Sequence, residues 1–217
     1  MKTILGKYST HYLKNKNQRF FVSAIGTDSG KTLVSAILAK KLSATYWKPI
    51  QCGTPTDTDQ IKDWFGANIK TLPERWKLST PASPHFAAAQ EQKEIYVSDF
   101  TLPDIDTNLV VEGAGGLMVP LNNVETTADL ISHLGIPVVL VINHYLGSLN
   151  HSLLTINELN RRNIAIAGIV FNGANFQDAE EIILNQAKST CWLRLPKLEF
   201  INEEVISFWA EKMEIQN

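Results

Sequence analysis

Residues 20–42, FFVSAIGTDSGKTLVSAILAKKL, constrain the fold more than any other stretch of the chain. An apolar run breaks at Gly26, and from Leu33 onward the apolar side chains recur at helical spacing, so a strand passes through a short polar loop into a helix. Backbone N–H groups at a helix start have no intrahelical partners and lie at the positive end of the helix dipole, so such a loop attracts an anion. Gly30 lets the backbone approach closely, Lys31 adds a compact cation, and Thr32 adds a hydroxyl of the kind that ligates Mg²⁺ in nucleotide sites. The pattern G-x-x-x-x-G-K-[ST] is not met, because Ile25 stands where it needs glycine and Gly26 follows one residue later. GKT alone is a weak signal and is more often a solvated turn. The strand before it and the helix after it favour a phosphate-binding loop.

The rest of the chain repeats this alternation. TYWKPI (45–50), NLVVEG (108–113), PVVLVIN (137–143) and IAIAGIVFN (164–172) are short, nearly continuous apolar runs, as expected of strands covered on both faces. LVSAILAKKL (33–42), TTADLISHLG (126–135), NHSLLTINELNRRN (150–163) and DAEEIILNQAKS (178–189) carry apolar positions at three-to-four spacing. The expectation is an α/β fold of three layers, a mostly parallel sheet with helices on both faces, phosphate-loop NTPase-like, as one domain over residues 1–217. Residues 1–19 are polar and basic and read as a loosely held extension or an early hairpin.

With 20 basic and 22 acidic residues the net charge is −2, which gives no electrostatic footprint for nucleic acid or an anionic membrane. The apolar runs are too short to span a bilayer. Cys52 and Cys191 lie far apart and no signal peptide pattern precedes them, so a reducing cytoplasm is the expected setting.

In parallel sheets ligands sit at the carboxyl ends of the strands. Those positions hold the loop, Lys48, Glu112 followed by Gly113, Ala114 and Gly115, then Asn143 and Asn172. Taken singly, Glu112 reads as a turn cap and Lys48 as a solvated strand end. Taken together they converge on one site, and a Mg²⁺ bridging Glu112 to phosphate would satisfy a carboxylate placed after a buried strand. DTDQIKDW adds Asp57 and Asp59 as further candidates for that metal. His85, His144 and His151 show no metal-ligand spacing and read as structural groups.

KPIQCG, SPHFAAAQE, VVEGAGG, LGSLNH and GIVFN follow the loop in an order and spacing that resemble the dethiobiotin synthetase family, over about residues 20–200. In that family the loop reads G-T-D-T-E-V-G-K-T, which sets Ala24 on its glycine, Gly26 on its aspartate and Asp28 on its glutamate. The resemblance implies that Thr27, Asp28, Ser29, Gly30, Lys31 and Thr32, with Glu112, Gly113, Ala114 and Gly115, bind ATP, and that Thr32, Asp59 and Glu112 hold Mg²⁺. It makes Lys31 and Lys48 the catalytic cations, and Asn172 the reader of adenine with Pro196, Lys197 and Leu198 as the other wall. Lys48, Cys52, Ser83 and Pro84 would face a diamine substrate, 7,8-diaminononanoate, which CO₂ carboxylates to a carbamate before ATP-dependent ring closure. Gly147, Ser148, Leu149 and Asn150 would grip its carboxylate from the neighbouring subunit of a two-fold homodimer, a use to which a helix start is suited. Cys52 stands where the family often has serine or threonine.

Two other readings share the nucleotide-binding frame. A partitioning ATPase would carry a second lysine early in the loop, and residues 24–29 contain none. A cobyrinic-type amidoligase would carry an added glutamine-hydrolysing domain, for which 217 residues leave no room.

Overall fold

The computed structural model describes residues 17–173 and 177–216. The reading of residues 1–19 as an extension or hairpin lies outside the described residues up to 16, and Arg19 is already the first residue of a strand. That strand, β1 (Arg19–Ala24), feeds the loop, and α1 (Lys31–Leu42) follows. Next come β2 (Thr45–Trp47), β3 (Ile50–Cys52), α2 (Asp57–Phe65), β4 (Thr71–Leu72), β5 (Trp76–Leu78) and α3 (Pro84–Gln90). The remainder is β6 (Leu109–Glu112), α4 (Thr127–Leu134), β7 (Val138–Asn143), α5 (Ser148–Arg161), β8 (Ile166–Asn172), α6 (Gln177–Ala187), β9 (Cys191–Leu195) and α7 (Glu203–Lys212).

Among the described residues seven strands form one sheet in the order β4-β2-β6-β1-β7-β8-β9, and every neighbouring pair is parallel. Side chains alternate between its faces. Phe21, Leu109, Val111, Val138, Leu140 and Ile142 pack on one side with Leu130 and Ile131 of α4 and Ile156 and Leu159 of α5. Val22, Val110, Val139 and Val141 pack on the other with Val34 and Ile37 of α1 and Ile206 of α7. Each such aliphatic side chain contributes about 1.5–3 kcal/mol by leaving water, and continuous apolar strands are what a sheet buried on both faces requires.

The structure departs from the sequence reading in three places. The run TYWKPI is not one strand: β2 ends at Trp47, and Ile50 opens β3, which pairs only with β5 in a separate parallel ribbon. Between β2 and β6 the chain makes a long excursion carrying α2, α3 and that ribbon, which form a wall over the carboxyl end of the sheet. Near the C-terminus β9 adds an edge strand and α7 packs against α1, two elements absent from the strand and helix runs read in the sequence.

Side chains cap several of the helix starts. Thr56 caps α2 through Asp59 N, Asn202 caps α7 through Val205 N, and Thr126 with Asp129 forms a capping box on α4. The N-cap of α1 is Gly30, at φ 87°, and among the described residues no side chain caps it. Its first N–H groups are left for a ligand.

Candidate active site

The loop between β1 and α1 is fixed from behind by the ends of β7 and β8. Ser29, fully buried, lies 2.7 Å from Asn143 Oδ1 and 3.0 Å from Gly26 O, and its one hydroxyl proton serves either acceptor. Asn172 Nδ2 donates to Ser29 O at 3.0 Å. It also explains Gly30, since a Cβ there would fall 2.3 Å from Asn172 Nδ2. Lys31 folds back along the loop and donates to Gly26 O at 3.2 Å. Burial and the neighbouring Lys48 ammonium lower its pKa to about 8, against the pull of Glu112, Asp57 and Asp28.

Beside the loop lies a buried charged cluster. Lys48 Nζ donates to Glu112 Oε1 at 2.9 Å and to Gly113 O at 3.0 Å, and pairs with Asp57 Oδ2 at 2.5 Å. Thr32 Oγ1 donates to the same Glu112 Oε1 at 2.9 Å, and Tyr46 Oη donates to Glu112 Oε2 at 2.9 Å. A carboxylate as buried as Glu112 would be costly alone, and here each oxygen is hydrogen-bonded. Burial by itself would depress Lys48, but Glu112 and Asp57 outweigh it and hold the ammonium above its ordinary pKa. Burial, then the charges of Glu112 and Asp57, hold the Tyr46 phenol protonated well above its usual range.

Loop and cluster open into one cleft of about 830 Å³. Of the residues expected in the site, Thr27, Asp28, Gly30, Lys31, Thr32, Lys48, Cys52, Ser83, Pro84, Glu112, Ala114 and Gly115 line it. Ser29 braces it from behind, and Gly113 contributes its carbonyl to Lys48. Gly116 closes the turn against the phosphate loop, where a Cβ would meet Gly26 Cα at 3.3 Å. Cys52 forms part of the wall, with its thiol pushed up to about 11 chiefly by burial.

Asp59 does not join them. It is exposed, two residues and so more than half a helical turn from Asp57, while Asp57 lines the cleft and grips Lys48. The second carboxylate of the cluster is therefore Asp57. Gly147, Ser148, Leu149 and Asn150 form the start of α5, which begins two residues earlier than the sequence reading and has Gly147 as N-cap at φ 101°. None of the four lines the cleft of its own chain. Asn172 sits behind the loop, and Lys197 and Leu198 line a separate hollow with Phe200 and Trp209.

Sequence reasoning missed Tyr46 and Gln51. Gln51 is buried, accepts from Asp57 N at 3.1 Å and donates Nε2 toward Gly53 O at 3.4 Å, so it fixes the start of α2. The donors suited to Mg²⁺ are Thr32 Oγ1 and the carboxylates of Glu112 and Asp57, a hard oxygen set that a small octahedral cation completes with phosphate and water. Among the described residues no three His, Cys, Asp or Glu side chains form a metal centre on their own.

Residues 18–205 match a family described as an AAA domain. The chain is similar to the ATP-dependent dethiobiotin synthetase BioD of Cytophaga hutchinsonii, at 46% identity over 90% of this chain and 97% of that protein. The proteins of the same name from Christiangramia forsetii and Brucella anthropi are 41% and 39% identical, over 89% and 88% of this chain and 94% and 91% of theirs. A solved ParA family ATPase from Chlorobium tepidum superposes with a TM-score of 0.53 at 13% identity, covering 90% of this chain and 99% of that one. That likeness is one of fold.

Proposed function

The chain belongs to the ATP-dependent dethiobiotin synthetase family, and from that membership we propose how its residues carry out the reaction. It is a ligase that uses ATP to form dethiobiotin, a step of biotin biosynthesis. The observation that carries the reading of the site is the buried Lys48–Glu112 pair, joined to the half-buried Asp57 and to Thr32 and set beside the uncapped start of α1 in a single cleft.

One amine of 7,8-diaminononanoate adds to CO₂ and loses a proton to give a carbamate. A carbamate oxygen then attacks the γ-phosphorus of ATP, the bond to ADP breaks, and a carbamic-phosphoric anhydride forms. The second amine attacks the anhydride carbon, phosphate leaves with the electron pair, and loss of a proton completes the ring. Negative charge gathers at the transferring phosphoryl group throughout, so fixed cations and N–H donors aimed there matter most. Lys31 and the N–H groups of 27–32 bind the phosphates, and Lys48, held cationic by its two carboxylates, faces the reacting oxygens. Thr32, Asp57 and Glu112 would hold Mg²⁺, which when bound offsets charge on the β- and γ-phosphates. Ser83, Pro84 and Cys52 wall the diamine side of the cleft. By family membership Asn172 takes the adenine with Pro196, Lys197 and Leu198; its place at the end of β8 with Nδ2 on Ser29 O, and theirs just after β9, set both at the carboxyl end of the sheet, though Lys197 and Leu198 line a hollow apart from the main cleft.

The enzyme works as a homodimer, in which Gly147, Ser148, Leu149 and Asn150 of the second subunit hold the substrate carboxylate. Their distance from their own chain's cleft and the wholly exposed Leu146 before them support that arrangement. The described residues build one seven-stranded sheet, and the β3–β5 ribbon lies within its β2–β6 connection and lines the same cleft, which supports a single ATP-binding domain. Two free cysteines accord with a cytoplasmic setting. ADP release should depend on both diaminononanoate and bicarbonate, measured with a coupled assay. Release at full rate from ATP alone would overturn the reading.

A further inference from the structure

We propose that Tyr46 is a positioning residue that pins the Glu112 carboxylate, leaving only Oε1 for a cation and so favouring Mg²⁺ over larger divalent ions. The inference rests on the reading of Glu112 as a cation ligand.

The register of the sheet places the phenol. Tyr46 pairs with Val110 across β2 and β6, and Glu112 lies two residues further along β6 on the same face. Tyr46 can therefore reach one pleat forward, and its hydroxyl meets Glu112 Oε2 at 2.9 Å. The ring is wholly buried in the apolar layer with Ile37, Leu38 and Ile61, so it has no freedom to swing away.

The two oxygens of Glu112 thus have separate tasks. Oε2 is occupied by the phenol, whereas Oε1 accepts from Thr32 and Lys48 on the cleft side. The terminal torsion of a glutamate is otherwise broad, and an untethered carboxylate can turn both oxygens toward one ion. Mg²⁺ demands near-octahedral geometry from single oxygens, while Ca²⁺ readily takes a carboxylate through both. A tether on Oε2 penalises the second mode.

The test is calorimetric binding of ADP to the intact enzyme across a series of Mg²⁺ or Ca²⁺ concentrations, for wild type, Tyr46→Phe, Glu112→Gln and the double variant. A thermal melt of each runs alongside. In Tyr46→Phe the Mg²⁺ concentration for half-saturation should rise about tenfold, the usual range for loss of a group that orients a metal ligand. The Ca²⁺ value should change less, ADP affinity in EDTA should stay as in wild type, and the double variant should match Glu112→Gln. A purely structural tyrosine would lower the melting temperature and leave the Mg²⁺-to-Ca²⁺ preference unmoved, which overturns the proposal, as does an equal shift for both ions. If Tyr46→Phe does not fold, the proposal stands or falls on 3,5-difluorotyrosine at position 46, whose stronger donor should sharpen the preference for Mg²⁺; an unchanged preference overturns it. A Glu112→Gln enzyme with unaltered Mg²⁺ dependence removes the ligand reading itself. A shift in Glu112→Gln with none in Tyr46→Phe removes the positioning role alone.

Discussion

Cys52 tests how far the chemistry of this site lies in charge rather than in nucleophiles. Its thiol lines the cleft with a pKa near 11, so at neutral pH it is uncharged and a weak nucleophile. Burial is the main cause, and the nearby Lys48 opposes it without prevailing. Cys52→Ser should keep turnover within about threefold of wild type, with an unaltered pH–rate profile between about pH 6 and 9, because no thiolate is present there to lose. A loss beyond about a hundredfold, measured as initial rate of ADP release, would place the sulfur in the reaction. Other residues differ in how visible they were beforehand. Lys31, Thr32 and Glu112 could be read from the sequence because a carboxylate after a buried strand and a lysine in a loop before a helix both need partners. Asp57 and Asp59 could not be told apart until the start of α2 was known, since one residue of phase decides which faces the cleft. Tyr46 and Gln51 gave no signal, because a buried aromatic or amide in a strand becomes functional only through the register that brings Glu112 or Asp57 to it.

At the scale of elements, β8 shows why a glycine stands inside an apolar strand. The pairing of β8 with β9 slips between Ile169 and Val170, so Trp192 is the extra residue of a bulge. The indole is buried across Gly168, where an added Cβ would fall 2.2 Å from the ring. Neither the ring nor the strand can yield cheaply, so Gly168→Ala should destabilise by about 1–3 kcal/mol, the range for overpacking a filled core. Thermal unfolding should show the drop, and an unchanged midpoint would mean the bulge relaxes freely. β1, β6, β7 and β8 were legible because strands covered on both faces must be apolar throughout. β9 escaped notice because Arg194 interrupts its run to pair with Glu180. α7 was hidden by Glu203 and Glu204, acids that favour the positive end of its dipole while Ile206 and Ala210 are buried on its inner side. β3 and β5, at three residues each, are too short for any periodicity to register.

At the scale of the whole molecule, a site shared between subunits makes a quantitative prediction. Lys31→Ala removes the phosphate side, and Gly147→Pro forces a φ near −65° on a residue that stands at 101°, breaking the start of α5. Each variant alone should be folded and inactive. After dissociation and random reassociation about half the dimers are mixed, each with one intact site, so activity should return to about a quarter of wild type. With both halves of the site in one chain, mixing would recover nothing. The excursion between β2 and β6 has a consequence for how such an enzyme can change over generations. Ile50, Cys52, Ser83 and Pro84 on the wall of the cleft all come from it, as do Lys48 and Asp57 of the charged cluster, while Thr27 comes from the loop after β1, Lys31 and Thr32 from α1, and Glu112 from the sheet. Changes confined to Cys52, Ser83 and Pro84 in that one contiguous stretch of gene can therefore reshape the diamine wall, provided Lys48 and Asp57 of the same stretch are kept to serve ATP with Thr27, Lys31, Thr32 and Glu112.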